Sequence, residues 1–83
     1  MTATEYKANI CAGMIPDICK RIENYCELAK AETSLKEWEK IRAKARHDFK
    51  HLCECLKAIT TDQAIKLSPI YRAASDKYAA TLM

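Results

Sequence analysis

The stretch HDFKHLCECL, residues 47–56, holds both histidines and two of the five cysteines of the chain. Imidazole and thiolate are the side chains that hold zinc and copper. Histidines at i and i+4 share one face of a helix and can chelate a single ion. His47, His51 and Cys55 extend this to an i, i+4, i+8 ridge that runs from the outer face of a helix towards one edge of its apolar seam. Cys53 stands apart, because residues two apart on a helix diverge by about 160°. The ridge is three ligands at most, and a fourth would have to come from the first helix, which carries the other cysteines. Nor is there the Glu of an H-E-x-x-H zinc protease. The simpler reading makes Cys53 and Cys55 small apolar residues at the core margins, with solvated histidines and no cofactor. Zinc or copper on His47, His51 and Cys55 is the alternative.

Cys11, Cys19 and Cys26 fall on one side of a helix, with Cys11 central. Spacings of eight and seven put them too far apart for one ion, so they read as buried thiols. Catalysis finds little purchase. No activated nucleophile surrounds any cysteine or serine, and Asp48 beside His47 points about 100° away from it on a helix. The chain is expected not to be an enzyme.

The second chemistry is charge. Lys36, Lys40 and Lys44 form one row, and Arg42, Arg46, Lys50 and Lys57 a second, giving one helix a broad basic outer face. Such a face docks an acidic protein or phosphates. It can also be an ordinary solvated face tied up by local pairs such as Lys36–Glu39 or Lys50–Glu54. Net charge is only +3, with acids interleaved among the bases. A dedicated nucleic-acid binder usually shows a stronger excess, so nucleic acid ranks below protein as a partner.

These groups must be positioned by helices. One glycine and two prolines in 83 residues argue against turn-rich sheets and phosphate loops. The expected fold is all-α, one domain over residues 1–83: a small antiparallel bundle of three long helices, or four if a proline interrupts one. The first opens on Thr2-x-x-Glu5 and carries Cys11, Ile15, Ile18, Ile22, Tyr25 and Ala29 in steps of three and four to about Lys30. It is expected to kink near Pro16, with two separate helices as the alternative. The second follows a capping box at Ser34 and Glu37, and its seam is Trp38, Ile41, Ala45, Phe49, Leu52, Leu56 and Ile59, heptad-like over roughly 37 Å. Thr60-Thr61-Asp62 caps the third. Ser68-Pro69 is expected to break it before a last segment that buries Ile70, Ala74, Tyr78 and Leu82, with Tyr71 at the margin.

Glu5 and Lys7 interrupt any apolar leader, and no run reaches the ~18 apolar residues of a membrane span. Five cysteines match no disulfide framework, so a reducing, cytoplasmic setting is expected. Long apolar seams on so short a chain favour self-association. The expectation is a non-enzymatic protein-binding module, adaptor, inhibitor or regulatory subunit, acting as a homodimer.

Overall fold

The computed structural model describes all 83 residues as three helices, α1 (Ala3–Ala31), α2 (Leu35–Ala58) and α3 (Thr61–Leu82), with no strand. Each start is set by a hydroxyl side chain in extended backbone that accepts from an otherwise orphaned amide. Thr2 Oγ1 accepts from the Glu5 amide at 3.1 Å, Ser34 Oγ from the Glu37 amide at 3.4 Å, and Thr60 Oγ1 from the Gln63 amide at 3.2 Å. Only the last is reciprocated, with the Thr60 amide donating to Gln63 Oε1. The expected boxes at Thr2 and Ser34 are half-formed, since Glu37 instead pairs with Lys40. In the first turn Glu32 Oε1 accepts from the amides of Thr33 and Ser34, which closes the α1–α2 link.

Both prolines lie inside unbroken helices. This corrects the expected break at Ser68–Pro69 and removes the two-helix alternative at Pro16. A helical proline leaves the carbonyl four residues back without its donor. At Pro69, which is exposed, water can serve the Ile65 carbonyl.

The helices run up, down and up, and α1 is the spine. It packs along both α2 and α3, which meet each other over a shorter stretch. The core is Ile15, Ile18, Cys19, Ile22, Cys26 and Ala29 of α1, Ala45, Leu52 and Cys55 of α2, and Ala74, Tyr78 and Leu82 of α3. Between α2 and α3 the Phe49 and Tyr78 rings stack with centroids 4.5 Å apart, an aromatic spacer that holds the two backbones apart. Ile70 is exposed, against expectation, and Leu67 and Tyr71 pack on the core in its place. At one end Gln63 Nε2 donates to Asn9 Oδ1 at 2.9 Å. Further along, Lys77 Nζ lies 3.1 Å from Glu27 Oε1, joining α3 to α1. No helix is long and apolar enough to cross a membrane.

One charged residue enters the α1–α2 seam. Asp48 is 8% exposed and accepts twice from the Arg21 guanidinium, Nε to Oδ2 at 3.3 Å and Nη2 to Oδ1 at 3.4 Å. The bidentate fork satisfies a carboxylate that water reaches poorly. Replacing Arg21 by Ala should therefore cost about 1–2 kcal/mol, the lower part of the range for charged hydrogen bonds because Arg21 itself is half exposed. Asp48→Leu added to that variant should restore the loss, since apolar packing replaces an unpaired charge. Urea melts of both variants measure it, and equal midpoints for Arg21→Ala and the parent would show the fork to be energetically idle.

Candidate functional site

The outer face of α2 gathers most of the chemistry that the sequence offers. Lys36, Lys44, Arg46, Lys50 and Lys57 are exposed and have no acid within ion-pair distance. The local pairs Lys36–Glu39 and Lys50–Glu54 do not form. Lys40 is exposed too, with Nζ 3.2 Å from Glu37 Oε1, a contact that water screens strongly.

Arg42 differs from the rest of the row. It is half-buried, its Nε donates to the Leu82 carbonyl at 3.1 Å, and its guanidinium lies 5.9 Å from the centre of the Trp38 ring. A cation at that place satisfies one of the last carbonyls of α3 and meets the negative end of its dipole. Arg42 therefore clips the end of α3 to the start of α2. Six exposed cations remain on the face, Lys36, Lys40, Lys44, Arg46, Lys50 and Lys57, with Glu37, Glu39 and Glu54 exposed among them. His47, Lys50, His51 and Glu54 line a shallow open depression of about 370 Å³ on this face.

The metal ridge is not assembled. His47 and His51 stay on the outer side, but Cys55 is 3% exposed and belongs to the core. No three His, Cys, Asp or Glu side chains lie close enough together to hold an ion. The cause is the register of α2. Ala45, Asp48, Leu52 and Cys55 step by three, four and three, so Cys55 repeats Asp48 one heptad on and faces α1 with it.

All five cysteines are free thiols. Cys19 and Cys26 are fully enclosed while Cys11, expected at the centre of the stripe, is half-exposed with Cys53. Burial, with Glu23 adding to it, pushes the Cys19 thiol up to about 11. Burial likewise raises Cys26 and Cys55. The raised Cys19 pKa adds stability in full below pH 9, the ordinary thiol range, and that contribution fades as pH climbs towards 11. Only the thiolate alkylates. In native protein at pH 8, iodoacetamide should modify Cys53 and Cys11 and leave Cys19 intact until urea unfolds the chain. Peptide mass mapping over time checks this, and Cys19 reacting as fast as Cys53 would contradict its enclosure.

The Arg21–Asp48 fork was the residue pair that sequence reasoning passed over. Its signal was present, because Asp48 lies three after Ala45 and four before Leu52, a heptad core position occupied by a carboxylate. Comparison with family models, curated proteins and solved structures finds no match to the chain.

Proposed function

We propose that the protein is a non-enzymatic binding module that presents the outer face of α2 to an acidic surface on another protein. The observation that carries this reading is the set of exposed cations on α2 with no intramolecular acid to neutralise them. Spread from Lys36 to Lys57 along a helix of 24 residues, they offer a rigid strip about 32 Å long. A protein is favoured over nucleic acid because Glu37, Glu39 and Glu54 are exposed within the strip. A phosphate backbone repels all three, whereas a protein surface can meet both signs with its own charges.

Self-association is the second half of the reading. Tyr6 and Ile10 stand four residues apart on an exposed ridge of α1, at 61% and 46% exposure. A homodimer formed there leaves the α2 strip free. Native mass spectrometry of the parent and of a Tyr6→Ser, Ile10→Ser variant tests it, with a dimer expected only for the parent.

The α2 reading is tested by charge reversal. Lys44→Glu, Arg46→Glu and Lys50→Glu together should abolish retention on immobilised poly-glutamate at low salt, and a control with Lys66→Glu and Arg72→Glu on α3 should keep it. Parent binding should fall at least tenfold between 50 and 200 mM salt, because screened surface charge supplies it. Stronger retention of the parent on duplex DNA or single-stranded RNA than on poly-glutamate would move the assignment to nucleic acid. Equal loss in both variants would mean that net charge, not the α2 face, is responsible.

A further inference from the structure

Cys11 and Cys55 lie on facing sides of the α1–α2 interface, Cys55 in the core and Cys11 packed against it. The turn between these helices is centred on Thr33, and Cys11 and Cys55 each lie 22 residues from it. In an antiparallel pair of equal rise per residue, that places both at the same level. Cys55 faces α1 from the core, and Cys11 packs against the core cluster from α1. Burial raises the Cys55 thiol above its usual range, and Cys11 is near enough to add to that shift. Cys11 is also half-exposed while Cys55 is 3% exposed, so one member of the pair is open to reagents and the other is sheltered behind it.

We infer that Cys11 and Cys55 form a dithiol site that low-molecular-weight disulfides oxidise to an intramolecular cross-link between α1 and α2. The exposed Cys11 loses its proton to solvent and attacks one sulfur of the small disulfide. A Cys11–small-thiol mixed disulfide forms, and the other half leaves as thiolate. Cys55 then gives up its proton and attacks the Cys11 sulfur, expelling the second half. Two protein thiols are oxidised, one small disulfide is reduced to two thiols, and the two protons released are taken up by the thiolates. The cross-link ties residues 11 and 55 in the segment that carries the buried Arg21–Asp48 fork, so it stiffens α2 without touching its outer face. The inference does not depend on the acidic-partner reading.

The test treats the folded protein with oxidised glutathione, blocks remaining thiols with N-ethylmaleimide, and fragments the unreduced tryptic peptides in the mass spectrometer to place the bond on individual cysteines. The expected result is an intramolecular bond, Cys11 joined to Cys55 within one chain that is two hydrogens lighter before maleimide is added, and a melting temperature higher by roughly 10–20 °C. The melting temperature returns to its starting value on adding dithiothreitol. Cys53→Ser should retain the cross-link. Cys11→Ser should remove it, and Cys55→Ser should halt the reaction at a Cys11–glutathione adduct. Should a buried serine unfold the chain, Cys55→Ala serves in its place. The inference is overturned by parent protein that stops at the Cys11 adduct, by a cross-link that includes Cys53, or by no reaction at all.

Discussion

Leu52→Ala should cost about 3 kcal/mol, with a urea midpoint shifted well down and an unchanged slope. Leu52 is fully enclosed, about one helical turn from both Asp48 and Cys55 on the side of α2 that faces its neighbours. Truncation removes three carbons' worth of burial and leaves a void that the surrounding side chains cannot all reach. Alanine exceeds leucine in helix propensity by only about 0.2 kcal/mol, so the helix itself offsets little of the loss. A domain of this length has a total stability of roughly 4–12 kcal/mol. The single truncation thus removes a quarter or more of it. Ile65→Ala on α3 provides the control. Ile65 is 67% exposed, and the same kind of change there should move stability by no more than about 0.5 kcal/mol. Comparable losses at both positions would mean that the exposed face of α3 is buried in an assembly, which is the behaviour of a homodimer built on that helix.

The contrast between these two residues also shows what can be read from periodicity. Steps of three and four identify α1 and its buried isoleucines without ambiguity, because one dominant stripe meets both partners. On α2 the stripe has two jobs. Phe49 turns towards α3, where it stacks on Tyr78, while Asp48 and Cys55 turn towards α1. A seam chosen by apolarity alone favours Phe49 and Leu56 and discards Asp48, since nothing in α2 by itself says that an arginine 27 residues earlier will pair with it. The alternative that joins Cys55 to the histidine ridge fails for the same reason, as its chemistry resembles theirs while its position belongs to the core, on the side where the simpler reading puts it. On α3 the weak amphipathic pattern, diluted by alanines, let Ile70 stand in for Tyr71. The basic face of α2 was legible residue by residue. The exception is Arg42, whose role depends on where α3 ends, a fact of tertiary structure that no local pattern contains.

Pro69→Ala should stabilise the protein by about 2–3 kcal/mol, raising its melting temperature by roughly 10 °C or more. Pro69 is the ninth residue of α3, well past the first turn where proline is tolerated. There it forfeits the bond to the Ile65 carbonyl and presses its ring on the preceding turn. The side chain is exposed, so its removal loses little packing. Alanine restores the missing donor and the best intrinsic propensity for a helix interior. Greater freedom of the unfolded chain takes back part of the gain, up to about 1 kcal/mol. Pro16→Ala should gain less, because Pro16 is half-buried in α1 and its ring contributes contacts that alanine lacks. Thermal melts of the two variants give the comparison directly. Destabilisation by Pro69→Ala would show that Ser68 and Pro69 begin a separate helix, with Ser68 as its cap. A continuous α3, whose tip is held by Arg42 at one end and whose start is held by Asn9 at the other, requires the opposite sign.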